Sequence, residues 1–367
     1  MKSCTINTVI AVFGGVASAY PGMARMLKDM GRLHDRQQGG FPGSTQLLGD
    51  LVSLPDSSLT KVGADLKAIL QGGGQPLGDT STYNAPGELG SQACNNDPCC
   101  VYKWIVNTMQ PLFYDRVSNQ CTPLARGAVR LGFHDAGTWS VDSGYGNGGA
   151  DGSILLTEEL NAPEHAGLDT VGRQTAQWYQ TFRQFGVGMA DLIQLGALTA
   201  TVTCPSGPRI RFFVGRKDNA TPGRLDLLPS PTGSADSIVE IFRAKSFSPG
   251  GLAALIGAHT VSTQSFQNPA QAGAPQDSTP GTWDNLYYNQ TIQANPPGNV
   301  YKFPSDVALA QHDGTAASMQ FFGSQAGGTV WQSAFAAEYI RMSVLGVYNL
   351  NEMTECTKVL PLSTFQG

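Results

Sequence analysis

Ala125-Arg126-Gly127-Ala128-Val129-Arg130-Leu131-Gly132-Phe133-His134-Asp135 is the stretch on which the reading of this chain turns. Its apolar residues recur at three- and four-residue spacing, the pattern of a helix with one buried face. On such a helix Arg130 and His134 lie one turn apart on the same side. A guanidinium and an imidazole aimed at one point suit the cleavage of a peroxide. The histidine takes a proton from one oxygen and returns it to the other, while the arginine stabilises charge on the departing oxygen. A solvated or structurally bonded pair has the same spacing, and this helix alone does not choose between them.

The same periodicity predicts helices over 101–114, 175–185, 188–201, 237–247, 249–257 and 330–345, separated by loops rich in Gly, Pro and Asp. Only Ile210-Arg211-Phe212-Phe213-Val214 reads as a strand. The fold class is therefore mostly α with minimal β, in one domain over roughly 94–360. No internal repeat is present.

The chain has 367 residues, 41% hydrophobic and 14% charged, which is enough apolar material for a substantial core. A net charge of -5 without any Lys/Arg-rich run argues against nucleic acid or an anionic membrane as partner. Lys2, the apolar run Thr8 to Val16 and the small residues Ala17-Ser18-Ala19 read as an export signal over 1–19. The alternative, a buried first helix, is disfavoured by the two glycines within the run. Residues 20–93 read as an N-terminal extension or pro-region, with short apolar patches at 47–54 and 62–70 that could form helical turns. Setting Cys4 aside with the signal leaves Cys94, Cys99, Cys100, Cys121, Cys204 and Cys356. An even number in an exported chain suggests three disulfides, although spacing does not select the pairing. Asn219-Ala220-Thr221 and Asn289-Gln290-Thr291 are acceptor tripeptides of a secreted glycoprotein.

Three further groups of residues could carry chemistry. His259, in Leu255-Ile256-Gly257-Ala258-His259-Thr260, ends an apolar helix and is either a core residue or an iron ligand. Asp306 is a carboxylate in an apolar setting, suited to brace such a ligand or to cap a helix. Two runs are rich in oxygen donors: Asp135 with Gly149-Ala150-Asp151-Gly152-Ser153, and Thr260 with the segment from Asp277 to Asp284. Calcium takes six to eight such oxygens, yet Asp/Ser/Gly loops are commonly turns.

Combined and in this order, the motifs resemble the secreted fungal class II haem peroxidases of the plant peroxidase superfamily, in particular the ascomycete-type branch with an N-terminal extension. The resemblance runs from about Cys94 to Cys356. It rests on Arg-Leu-x-Phe-His-Asp (130–135), Gly-Gly-x-Asp-Gly-Ser-Ile (148–154), Gly-Ala-His-Thr (257–260) and Asp-Ser-Thr-Pro-Gly-x-x-Asp (277–284). Gly-Arg-x-Asp (215–218), Leu-Pro-x-Pro (228–231) and Ser-Asp-x-Ala-Leu (305–309) agree with it. It implies two helical subdomains sandwiching haem b, with His134 as distal acid–base catalyst, Arg130 as distal cation and Phe133 against the haem. His259 becomes the axial ligand and Asp306 its partner. Two calcium ions are implied: a distal one on Asp135, Gly149, Asp151 and Ser153, and a proximal one on Thr260, Asp277, Thr279, Thr282 and Asp284. The implied disulfides are Cys94–Cys100, Cys99–Cys356 and Cys121–Cys204.

Several positions depart from the family pattern. Pro123, Gly127 and Ser265 stand where manganese-oxidising members place acidic ligands, and Ala254 stands where lignin-peroxidase types carry an exposed tryptophan. Trp104, Trp139, Trp178, Trp283 and Trp331 read as core or interface residues rather than as substitutes. Beyond Glu159, His165 replaces the asparagine that holds the distal histidine. A neutral imidazole can accept the same hydrogen bond and a protonated one cannot, unless Glu164 accepts instead. Gln276 replaces an aromatic near the proximal histidine. His34 and His312 match nothing in the pattern and read as exposed. The resulting expectation is a secreted, monomeric peroxidase acting on hydrogen peroxide and small aromatic reductants. The rival is a non-catalytic secreted calcium-binding or interaction protein of the same fold.

Overall fold

The computed structural model describes residues 43–364, and the expected signal over 1–19 and His34 lie outside these residues. Helices α1 (Lys61–Leu70), α2 (Cys100–Phe113), α3 (Pro123–Ala136), α4 (Asp169–Phe182) and α5 (Met189–Thr203) form the first part of the chain. Helices α6 (Ala235–Arg243), α7 (Pro249–Leu255), α8 (Leu286–Ile292), α9 (Pro304–Gln311), α10 (Ala316–Gly323) and α11 (Gln325–Met342) follow. Besides shorter helical turns, the described residues hold two antiparallel ladders of two residues: β1 (Tyr114–Asp115) with β2 (Gln120–Cys121), and β3 (Phe213–Val214) with β4 (Thr354–Glu355). The expected strand 210–214 is thus reduced to its last two residues, with Ile210 forming a single bridge to Leu77.

Helix α5 is the axis of the core. It is buried on nearly every face from Met189 to Val202, so its sequence carries little amphipathic contrast. Its N-terminus is held from outside, because Asp218 accepts from the backbone N–H groups of Met189 and Ala190 at 2.8 and 3.0 Å. Helix α3 lies against it. A Cβ on Gly132 would come within 2.8 Å of both Ala197 Cβ and the Tyr339 hydroxyl. Gln194 donates to the Gly132 carbonyl at 3.0 Å and accepts from Tyr339, locking α3, α5 and α11 together.

Helix α7 is fixed by two aromatic donors. Tyr288 on α8 donates to the Ala253 carbonyl at 2.7 Å, and the Trp331 indole on α11 donates to that of Ala254 at 2.9 Å. Trp139, Trp178, Trp283 and Trp331 are buried, and Trp104 is half-buried. The disulfides join Cys94 to Cys100, Cys99 to Cys356 and Cys121 to Cys204, and the second ties α2 to the last strand across 257 residues. Among the described residues no helix is long and apolar enough to cross a membrane.

Residues 43–93 are packed onto this body rather than trailing from it. Leu48, Leu51, Leu66, Ile69 and Leu70 are buried. Ser44 N–H donates to Glu338 at 2.8 Å, and Arg341 donates to the carbonyls of Gln46 and Leu70. His312 is half-buried rather than exposed, with its Nε2 3.2 Å from Asp236.

Candidate active site

The distal side is built on α3, which Thr122 caps by accepting from Ala125 N–H, with Pro123 at the first helical position. One turn apart on this helix, Arg130 Nε donates to His134 Nε2 at 3.0 Å. The guanidinium is held in that direction from behind: Nη1 donates to the Ala166 carbonyl at 2.8 Å and Nη2 to that of Glu164 at 3.4 Å. Desolvation pulls the Arg130 pKa down to about 10, which leaves it cationic at neutral pH. Desolvation, then Arg130, then His165 depress the His134 pKa well below the ordinary imidazole value, so His134 is a neutral base. Phe133 lies edge-on to His134 at 5.8 Å and stacks parallel to Phe242 at 6.0 Å.

His165 meets the distal histidine directly, with His134 Nδ1 2.9 Å from His165 Nδ1. Glu164 is exposed and contributes only its carbonyl, to Arg130, so it does not take the place of His165.

On the proximal side α7 runs into a 3-10 segment, Ile256–Val261, that carries His259. His259 Nδ1 is 2.8 Å from Asp306 Oδ2. Asp306 lies inside α9, whose N-cap is Phe303, so it braces the histidine and is not the cap. Tyr287 and Phe303 meet the His259 ring at centroid distances of 5.6 Å each. These rings border the histidine, while Gln276 is buried and accepts from the Ser262 hydroxyl. Sequence reasoning missed Tyr287 and Phe303, because no local periodicity links either of them to position 259.

With Nδ1 committed to a carboxylate, His259 has Nε2 as its remaining donor, on a side chain that is still 35% exposed. An imidazole with one nitrogen on a buried carboxylate, the other left over and aromatic rings at its border fits a ligand to haem iron.

The two oxygen-rich clusters also gather. Asp135 accepts from Gly152 N–H at 3.1 Å, Asp151 accepts from Ser153 N–H at 3.1 Å, and the Ser153 hydroxyl donates to Glu159. Gly149 has φ +114 and its Cβ would lie 2.3 Å from the Leu345 carbonyl, so no other residue fits there. Burial, then mutual repulsion, pushes the Asp135 carboxyl well up, and burial raises Asp151. Near Thr260, the hydroxyl donates to Asp277 at 2.5 Å and approaches Asp284 at 3.4 Å, while Thr279 donates to Asp284 at 2.8 Å. Burial pushes Asp277 up to about 6. Thr282 joins the others only through its N–H to the Thr279 carbonyl. Among the described residues no three His, Cys, Asp or Glu side chains converge as a metal cluster. Calcium completes its shell with hydroxyl and carbonyl oxygens, however, and paired buried carboxylates without a counter-cation are the environment it fits.

Comparison with known proteins identifies the family. The family described as Peroxidase matches residues 107–325. A peroxidase of Arthromyces ramosus is 30% identical over 308 residues, covering 78% of this chain and 81% of that protein. A peroxidase of Coprinopsis cinerea is 30% identical over 294 residues, covering 74% and 78%. Manganese peroxidase 3 of Phlebia radiata is 30% identical over 294 residues, covering 74% and 79%. The chain therefore belongs to the peroxidase family, and it is a haem-dependent oxidoreductase that uses hydrogen peroxide.

Proposed function

We propose that this protein is an extracellular, monomeric peroxidase that oxidises small phenolic or similar donors by one-electron steps. Haem b and two calcium ions are its proposed cofactors. The observation that carries the reading is the 3.0 Å contact of Arg130 Nε with His134 Nε2, which fixes a cation and an imidazole lone pair at one point. Bound haem supplies the two-electron reduction of the peroxide and the return of those electrons one at a time. His134 Nε2 takes a proton from one peroxide oxygen and delivers it to the other, which leaves as water. Arg130 keeps its charge, and its Nε–H turns from His134 to the oxygen on which negative charge develops. Asp306 holds the Nδ1 proton of His259, so that Nε2 stays a donor toward the iron. The exposed Pro123, the half-buried Gly127 and the exposed Ser265 offer no carboxylate, which supports a donor spectrum independent of manganese. Ala254 is fully buried and has no ring, which supports the same limit for bulky donors.

Purified holoprotein should change its visible spectrum within seconds of adding hydrogen peroxide and return on adding a phenol. A panel of phenols, bulky aromatic ethers and manganese(II) then tests the donor range. A protein that binds haem without responding to peroxide would sink the catalytic reading, and turnover saturable in manganese(II) would sink the donor assignment.

A further inference from the structure

The distal histidine leans on a second imidazole, and the hydrogen-bond polarity of that contact can be worked out atom by atom. Arg130 Nε–H can only donate, so His134 Nε2 is the acceptor at 3.0 Å. A neutral imidazole that accepts at Nε2 carries its proton on Nδ1. His134 Nδ1–H therefore donates across the 2.9 Å contact, and His165 Nδ1 must accept. That places the His165 proton on Nε2. This atom is buried and has no hydrogen-bond partner, and it faces Glu159 Oε1 at 3.8 Å, a second buried atom without one. The other Glu159 oxygen is already fixed, accepting from Gly223 N–H at 2.7 Å and from the Ser153 hydroxyl at 3.0 Å. One direction of donation thus runs from Arg130 through His134 to His165, whose Nε2 faces the Glu159 carboxylate from 3.8 Å.

We propose that His165 is a positioning residue which, by accepting from His134 Nδ1–H, sets the tautomer of His134 and so keeps its Nε2 unprotonated for the peroxide proton. This rests on the reading of His134 as the distal base. An imidazole in this place does one thing that an amide acceptor does not: it can lose its acceptor atom to a proton. Once His165 is protonated, both of its ring nitrogens donate, and His134 must turn Nδ1 into an acceptor and carry its own proton on Nε2. The base is then blocked without any movement of the backbone.

The charged and titratable groups facing His165 are Arg130 and His134 from α3, Glu159 from the preceding turn, and Glu164 from its own. Desolvation first, then the Arg130 cation, lowers its pKa to about 4, with Glu164 opposing. His165 is consequently an acceptor at neutral pH and changes role only in acid.

Three proteins test this: wild type, His165→Asn and His165→Leu. Nitrogen-15 histidine spectra of the diamagnetic ferrous–carbonyl holoenzyme at pH 7 should show His134 protonated at Nδ1 and His165 at Nε2. The rate of the peroxide-induced Soret change at pH 7 should fall at least tenfold in His165→Leu and be restored to within about threefold of wild type in His165→Asn, whose amide oxygen can accept. Below about pH 4.5 the wild-type rate should lose up to tenfold per pH unit relative to His165→Asn. Finding the His165 proton on Nδ1 at pH 7, or an unaltered rate in a folded His165→Leu, overturns the proposal. If none of the three responds to peroxide, the reading under Proposed function fails, and the tautomers still decide this one.

Discussion

His259 Nδ1 and Asp306 Oδ2 lie 2.8 Å apart although 47 residues separate them, and the carboxylate is 1% exposed. A buried acceptor at that distance polarises the imidazole N–H and makes the opposite nitrogen a stronger donor. Removing the charge while keeping the shape should reverse that. Asp306→Asn is expected to raise the iron reduction potential and to slow the peroxide reaction about 10- to 100-fold. Potentiometric titration of the two holoproteins checks the first, and an unchanged midpoint would contradict the role given to Asp306.

The two distal side chains act at different moments, so their removal should give different losses. His134→Leu takes away the only group that can move the proton, and the peroxide reaction should slow by about 10²–10⁴-fold. Arg130→Leu leaves the proton transfer and removes a charge stabiliser, for a loss of about 10²–10³-fold. Stopped-flow rates of the Soret change measure both. Equal rates for His134→Leu and wild type would disqualify the distal assignment.

Much of this arrangement was legible in the chain, and the reasons are local. Arg130 and His134 share a helix, so spacing alone set them on one face. The pairing of Cys99 with Cys356 and the approach of Asp306 to His259 were accessible only through the resemblance, because neither is a local relation. Tyr287 and Phe303 were not accessible at all. They reach His259 through the packing of α8 and the start of α9, and Gln276, where an aromatic was expected, gave no pointer to them. The packing of residues 43–93 was not legible for a different reason. Their glycines and weak periodicity do not show what they pack on, and their polar anchors, Arg341 and Glu338 on α11, lie far along the chain.

Calcium removal tests the oxygen clusters. Thr260 adjoins His259 in sequence and its hydroxyl donates to Asp277, so losing a cation there should loosen the proximal ligand as well as the fold. A strong chelator should lower Tm by several degrees and shift the Soret band, both reversed by added calcium. Asp277→Ala should show the lowered Tm from the outset and little further response to the chelator. A wild-type Tm indifferent to both chelator and calcium would remove calcium from this account.

Lys245 offers a stability test remote from the haem. It is fully buried, its ammonium has no hydrogen-bond partner, and desolvation depresses its pKa to about 7, with Asp226 opposing weakly. The unfolded chain keeps the ordinary value of 10.5, so between pH 7 and 10.5 it binds the proton that the folded protein lacks, and stability rises with pH across that window. Below pH 7 the full penalty remains, at most about 5 kcal/mol. Lys245→Met should therefore stabilise the protein by about 1–4 kcal/mol at pH 6, with the gain shrinking toward pH 10. Denaturant midpoints at the two pH values decide it, and a gain that grows with pH would reverse the sign of the argument.

The contacts of residues 43–71 limit where a shortened chain could begin and still fold. Arg341 is 1% exposed and gives two of its N–H groups to the carbonyls of Gln46 and Leu70, while Glu338 accepts from Ser44 N–H. Tyr145, in the loop leading to Gly149, accepts from Gly49 N–H at 2.7 Å and packs between Trp139 and Tyr348. Cutting the chain after residue 71 would strand a buried guanidinium and carboxylate and take from the tyrosine hydroxyl its Gly49 N–H donor. Losing partners of buried charges costs about 3–5 kcal/mol, a large part of a domain's stability. The mature N-terminus is therefore expected at or before residue 43. Protein truncated to begin at 43 should keep the Tm and haem content of the full-length form, whereas protein truncated to begin at 72 should aggregate or lose haem on mild heating. Mass spectrometry of the secreted protein gives the natural start, and a stable, active form beginning near Cys94 would show that these contacts are dispensable.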